Sequence, residues 1–325
     1  MARSLGRRLV TAFLTLLFVS FIVFSLTHLA PGDPLSIAMG EDSPGRRLPA
    51  ERVAELRALY HLDQPLHRQY LLWLGDLFQG NLGISFHDHR PVAEKIGERL
   101  GITLTLNLLS LALMVVIAIP LGAATAWRPG SRLDSLGGIV TYGLYAVPVF
   151  WAALLLQILF SVRLEWLPLY GLGSYDPASG ALARWADRAA HMVLPVLCLT
   201  YGGLAYLSRF VRATLAENLP GEAVRAARAR GISPAGVLVR HGFRQAAVPM
   251  LTLAGFLLPG LVGGSVIVEW IFAIPGLGRL FVDAVFQRDF PVIMGLTLLS
   301  GTATLAGIVA ADLAYTFFDP RVRRG

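Results

Sequence analysis

The sequence predicts an all-α polytopic membrane protein that crosses the bilayer six times. Of 325 residues, 55% are hydrophobic and only 15% are charged, where a soluble domain carries roughly 25% charged residues. Mean hydropathy is +0.60, and the apolar residues gather in runs near the roughly twenty residues a membrane helix needs. The arginines are dense in some loops and balanced by acids in others, as when charge sets membrane orientation. The net charge of +7 therefore reads as a topological signal, not as a nucleic-acid-binding surface.

Hydropathy places the spans near residues 9–30, 101–126, 136–162, 191–212, 246–272 and 291–317. Each is long enough for a hydrocarbon core of about 30 Å, the longer ones with tilt. The first run follows Arg3, Arg7 and Arg8, as a signal peptide would. It is too long for an h-region, and LTHLAPGDP offers no small-x-small cleavage site, so an uncleaved helix is expected. Six spans put both termini on one side, together with Arg128, Arg132, a basic stretch after residue 221 and Arg321, Arg323 and Arg324. The acids in those loops are Asp134, Glu217, Glu222 and Asp319. On the other side Arg163, Arg184, Arg188, Arg279 and Arg288 are balanced by acids. The positive-inside rule then makes both termini cytoplasmic.

This divides the chain into a cytoplasmic tip with the first helix (1–30), an external loop (31–96), a core of five further spans (97–318) and a tail (319–325). The external loop breaks at PGDP and DSPGRRLP. LPAERVAELRALY then sets Val53, Leu56, Leu59 and Tyr60 on one helical face. PLHRQYLLWLGDLFQG starts at Pro65 and stops at Gly80, as helices do. Its Tyr70, Trp73 and Phe78 suit a helix lying on protein or at the lipid interface. The loop is either a scaffold or a contact for a soluble partner.

Between the fourth and fifth spans lies EAVRAARARGISPAGVLVRHGFRQA, residues 222–246. A helix is expected from Glu222 to Arg230, stopped by Gly231 at C′ and Pro234 beyond. Glu222 at its start and Arg228 and Arg230 at its end complement the helix dipole. Some nine residues are too few for a stable isolated helix, so it must dock on something. Ala223, Ala226 and Ala227 are small enough to let a partner approach closely, and binding to anionic lipid is the competing reading.

This stretch resembles the cytoplasmic "EAA" loop of ABC importer permeases, in the dipeptide, oligopeptide and nickel branch. Ala226, Ala227 and Gly231 match the general pattern, whereas Arg225 replaces its acid and Phe243-Arg244 its closing Leu-Pro. The branch's own variant is followed by Arg225, Ala227, Arg228, Ala229, Arg230, Gly231, Arg240, His241 and Arg244. Residues 26–34, 62–86, 268–295 and 319–323 also resemble that branch, in order and on the expected sides. The resemblance implies a type I importer permease fold in the bacterial inner membrane, with 213–245 as a coupling loop. Glu222, Arg225, Ala226, Ala227, Arg228, Arg230 and Gly231 would seat in a cytoplasmic ATPase. Two ATPase subunits, a second and distinct permease and an external binding protein would complete the transporter. Substrates would be peptides, with nickel, glutathione or another small solute left open.

No energy source of its own is legible. A Walker A motif needs Lys after Gly to hold the phosphates, and the one lysine, Lys95 in VAEKIGERL, follows no Gly-rich loop. ATP and magnesium are thus expected on the partners, with no cofactor on this chain. HExxH and GxSxG are absent. His87-Asp88-His89 is metal-like in spacing but lacks a third ligand, so no metal site is expected. Cys198, alone in an apolar run, reads as a small core residue. Asp312 is the clearest intramembrane acid, either gating or neutralised near the interface. Asn107 and Gln157 read as interhelical hydrogen-bond partners. Pro148, Pro259 and Pro275 should kink or end helices. Within GLVGGSVIVEWIFAIPGLG, the resemblance makes Glu269 and Pro275 gate candidates beside Pro148 and Asp312. A secondary transporter or channel would carry midplane charges and inverted repeats, and neither is evident. Nor does an intramembrane enzyme's nucleophile or metal constellation present itself.

Overall fold

Two helices organise the chain, α4 (Val92–Trp127) and α7 (Ala181–Asn218), because their facing side chains are small. Lipid tails are as apolar as leucine, so helices in a membrane associate through close packing, and small residues permit it. Ser110, Ala118, Gly122, Ala123 and Ala126 of α4 are buried, as are Ala205, Ser208 and Val211 of α7. A Cβ at Gly122 would stand 2.5 Å from the Ser208 carbonyl oxygen and 2.7 Å from Val211 Cβ, and one at Gly203 would run into the Met114 sulfur. Glycine is required at Gly122, where the obstacle is backbone, whereas the flexible Met114 side chain can yield at Gly203.

The computed structural model describes residues 2–29, 50–59, 63–174, 180–243, 258–261 and 265–318. Among them there are no strands, and the element order is helical throughout. The first helix, α1 (Ala2–Leu29), packs along the last, α12 (Phe290–Phe318). Helix α2 (Ala50–Leu59) is short, and the side chains of its expected apolar face, Val53, Leu56 and Leu59, lie outside the described ones. Helix α3 (Leu66–Phe78) lies against α1: Tyr70 meets Phe21 and Phe24 edge-on, and its hydroxyl hydrogen-bonds Ser20 Oγ at 2.9 Å. Tyr70 therefore serves intramolecular packing.

Four described helices are long and apolar enough to cross a membrane, with windows Val10–Thr27, Val92–Trp127, Ala181–Asn218 and Phe290–Ala310. A fifth crossing is available only if α5 (Arg132–Ala146) and α6 (Val149–Leu156, continued as a π-helix over Gln157–Arg163) count as one broken span, bent by 95°. The run expected as one span at 136–162 is thus two helices, divided at the proline expected to kink or end a helix. Pro148 causes the break: it forces Val147 into an extended conformation, ψ 121°, and stands as the N-cap of α6. The Tyr201 hydroxyl of α7 donates to the Val147 carbonyl oxygen at 2.8 Å and so satisfies an acceptor near the break. Most of the span expected at 246–272 lies outside the described residues. Those described there form a 3-10 turn, Leu258–Leu261, and a short α10, Val266–Ile271. Six spans are thus not established.

Three apolar clusters sit in succession along α4. Val92 and Ile96 pack with α11 (Leu277–Phe286) and α12; Leu106 packs with α6, α7 and α10; Met114 to Ala126 pack with α7 and the elements after it. Asn107 Nδ2 donates to the Leu261 carbonyl oxygen at 2.9 Å, tying the 3-10 turn to α4. Gln157 bonds the loop carbonyl of Leu169, not another helix as expected.

Adding one carbon at the α4–α7 crossing should be costly. Gly122→Ala is expected to destabilise by about 1–3 kcal/mol through overpacking. Gly143→Ala, where an added Cβ meets nothing within 4 Å, should be neutral or stabilising. Melting of the two variants in one detergent checks this.

Candidate functional site

At the basic end of the bundle α7 turns into α8 (Glu222–Ala229), the helix expected from the sequence. Gly221 is its N-cap, and its carbonyl accepts from Val224 N and Arg225 N. The C-terminus closes on Gly231 at φ +75°, with Gly231 N donating to Arg228 O and Ile232 N to Ala227 O. This is the Schellman pattern; Ile232 completes it by packing on the core below.

Val224 and Ala227, three apart and so on one helical face, are fully buried. They join Ala123 and Ala126 of α4, Val211 and Leu215 of α7, and Val237 of the short α9 (Pro234–Val237) in one cluster. The helix too short to stand alone is seated on its own chain. This corrects the placement of Ala227 on the partner-facing side: spacing identified the small residues but not which of them turn inward. Glu222, Ala223, Arg225, Ala226, Arg228, Ala229 and Arg230 are exposed. Arg228 also covers the Trp127 ring at 4.8 Å, joining α8 to the last residue of α4. Arg240 is exposed, while the His241 side chain and Arg244 lie outside the described residues.

The gate candidates occupy separate places. Pro148 is at the α5–α6 break. Pro275 is exposed in the turn between α10 and α11. Asp312 lies within α12, its side chain outside the described part. Glu269 is fully buried. Its Oε1 accepts from Thr103 Oγ1 at 3.0 Å and its Oε2 from Arg279 N at 3.1 Å, while Thr103 Oγ1 accepts from Leu277 N at 2.8 Å. Leu277 and Arg279 are in the first turn of α11, whose N–H groups have no partners within the helix. Glu269 and Thr103 together cap that helix, the carboxylate on the positive end of its dipole. Gly276 closes over the pair, for a Cβ there would collide with both side chains. Glu269 is thus a structural anchor between α4 and α11.

At the opposite end, the metal-like loop is held by the single lysine. Lys95 Nζ lies 2.9 Å from Asp88 Oδ2, 2.9 Å from Ser85 Oγ and 3.8 Å from Asp289 Oδ2. Ser85 Oγ donates to Asp289 Oδ2, and Phe86 N donates to Asp289 Oδ1. Burial pushes the Asp88 carboxyl up, but hydrogen bonds from Lys95, Ser85 and the Arg90 backbone, with the lysine charge, hold it down at about 2. His87 and His89 point outward, and no metal-binding group of three or more His, Cys, Asp or Glu occurs among the described residues. Nothing in the sequence pairs Lys95 with Asp289, which lie 194 positions apart.

The chain as a whole is similar to known proteins. Residues 118–324 match the family described as binding-protein-dependent transport system inner membrane component, and residues 1–107 match the N-terminal family of such membrane components. The chain is 38% identical over 323 residues to the oligopeptide transport system permease protein AppB of Bacillus subtilis (strain 168), covering 99% of each. It is 35% identical over 319 residues to a probable peptide ABC transporter permease protein of Sinorhizobium fredii (strain NBRC 101917 / NGR234), covering 98% of each. Its fold is similar to a chain of the MetNI methionine ABC transporter in an inward-facing conformation, with TM-score 0.56 and 19% identity, covering 69% of this chain and 96% of that one.

The α8 terminus gives a direct check. Gly231→Ala places a Cβ in the left-handed region and should cost about 1–2 kcal/mol, whereas Gly231→Asn should cost less, because asparagine tolerates that conformation. The order of melting temperatures, native above Asn above Ala, is the expected result.

Proposed function

The chain belongs to the family of inner membrane components of binding-protein-dependent transport systems, and from that membership we propose that it is a permease subunit of a peptide-importing ABC transporter, driven through α8. Relatives with peptide permease names at 35% and 38% identity over almost the whole chain support peptides as the substrate class. The observation that carries the mechanism is the division of α8 into two faces. Val224 and Ala227 are locked into the α4–α7 core, while Ala223, Ala226, Arg225 and Arg230 are turned outward.

A cytoplasmic ATPase grips that outward face. The alanines admit it closely, and the arginines meet its acidic groups. ATP and magnesium are bound by that partner, and this chain catalyses no reaction. When the ATPases close, α8 moves and carries α4 and α7 with it as one packed body, a rigid-body switch between inward- and outward-open states. The pathway forms between this permease and a second, homologous one, and an external binding protein delivers the peptide. Both termini are cytoplasmic, on the same side as α8.

Affinity purification of the tagged chain from mild detergent tests this, beside Ala226→Glu, which alters the outward face without entering the core. Co-purification of an ATPase and a second permease with the native chain is expected, with at least a tenfold loss of the ATPase alone from the variant, about 1.4 kcal/mol of contact. A chain that purifies alone and transports unaided would overturn the proposal, as would a variant that retains every partner.

A further inference from the structure

Among the described residues, one buried charged group lacks an acceptor. Arg209, on α7 one turn before Arg212, lies over the Tyr142 ring of α5 at 3.5 Å from its centroid. Among the described residues its Nη1 is one of two buried side-chain polar atoms without a hydrogen-bond partner, the other being Ser265 Oγ. A sealed guanidinium donor without an acceptor is costly, and in a membrane segment it marks a binding function by default. The neighbouring acid cannot serve it. Asp134 accepts a two-pronged bond from Arg212, Nε to Oδ1 at 2.5 Å and Nη2 to Oδ2 at 2.6 Å, and a third from Gly130 N at 2.9 Å. Arg212 and Gly130 thus take up Asp134, and Arg209 has no carboxylate partner among the described residues.

Away from its sealed Nη1, Arg209 lines a cavity of about 410 Å³ between α4, α5 and α7, which Thr125, Tyr142, Ser208 and the Asp134–Arg212 pair also line. At about 30 Å³ per water, the volume exceeds what a few solvent molecules need and suits a phosphate with part of a glycerol unit. Gly138 leaves space open, for a Cβ there would meet nothing within 4 Å, whereas Gly137 lies close against Thr125, where a Cβ would stand 3.1 Å from Cγ2. Beside the opening, Leu133, Leu136, Ile139 and Val140 form an exposed apolar strip on α5. The cavity lies at the basic end of the bundle, level with the first turns of α5, where headgroups would lie if α5 enters the bilayer there. A positive pocket for an oxyanion beside an apolar strip complements an anionic phospholipid: phosphate on Arg209, acyl chain along α5. The single surplus charge disfavours a zwitterionic headgroup, which brings its own ammonium.

We infer that the α5–α7 cavity binds the phosphate of an anionic phospholipid through Arg209, fixing α5 against α7 at the end where α8 is driven. The site is independent of what the permease transports.

Native mass spectrometry of the full-length chain, equilibrated with equal amounts of phosphatidylglycerol and phosphatidylethanolamine, tests this. The native protein should retain phosphatidylglycerol with roughly fivefold preference, the worth of one arginine near an anionic surface. Arg209→Gln should abolish the preference, and so should Gly138→Leu, which fills the cavity and keeps the charge. Arg7→Gln, on α1, should keep it. Equal retention of both lipids by the native chain, or an unchanged preference in both cavity variants, would overturn the inference. Displacement of phosphatidylglycerol by sodium phosphate would reassign the site to a free oxyanion. A photo-crosslinker at Leu136 in native membranes should capture lipid; capture of a second polypeptide would mean that a protein carboxylate answers Arg209.

Discussion

The α4–α7 crossing is the contact on which the other features depend. It is made by small side chains, and its tightness is visible at Gly122, where a single added carbon would strike the backbone of the facing helix. Such a seam holds its helices in one register, because interdigitated surfaces do not slide by fractions of a residue. All three apolar clusters draw on α4, so the position of α4 is transmitted along its whole length. At one end Val92 and Ile96 hold α11 and α12. In the middle Thr103 and Glu269 cap α11 from two different helices. At the other end Ala123 and Ala126 receive α8.

A helix of eight residues gains little from its own hydrogen bonds, so the burial of Val224 and Ala227 and the Gly231 closure determine whether it holds its shape. The same burial makes α8 an extension of the α4–α7 body. A force applied to its outer face is delivered to packed side chains rather than lost in a loose loop, which a drive element requires. Arg228 on Trp127 adds a second attachment. The α5–α6 break, braced by Tyr201 from α7, brings a bent element under control of the same helix.

What could be read in the sequence was local. The start and stop of α8 and the left-handed Gly231 follow from signals within a few positions, as do the bounds of α3 between Pro65 and Gly80. Hydropathy located the apolar run at 136–162, but it carries no direction and could not show that Pro148 turns the chain by 95°. The inward turn of Ala227 was hidden because alanine suits either face; Val224, the one larger apolar residue in EAVRAARA, was the available clue. Lys95, Asp88 and Asp289 form their network across a long sequence separation, and neither periodicity nor spacing reaches that far. Glu269 was picked out as an acid near a glycine-rich turn, but its capping of α11 needed Thr103 brought in from α4. The run after Phe243, expected as a span, lies outside the described residues.

The central claim is that α8 is anchored inward and gripped outward, and cysteine accessibility tests it most directly. The chain's one cysteine, Cys198, is buried, so a cysteine placed at Ala226 in a Cys198→Ala background reports alone. In inside-out vesicles stripped of ATPase, a membrane-impermeant maleimide should label position 226 rapidly, and rebinding of the ATPase should protect it. A cysteine at Val224 should resist labelling in both states. Labelling at 226 that ignores the ATPase, or a reactive position 224, would contradict the account.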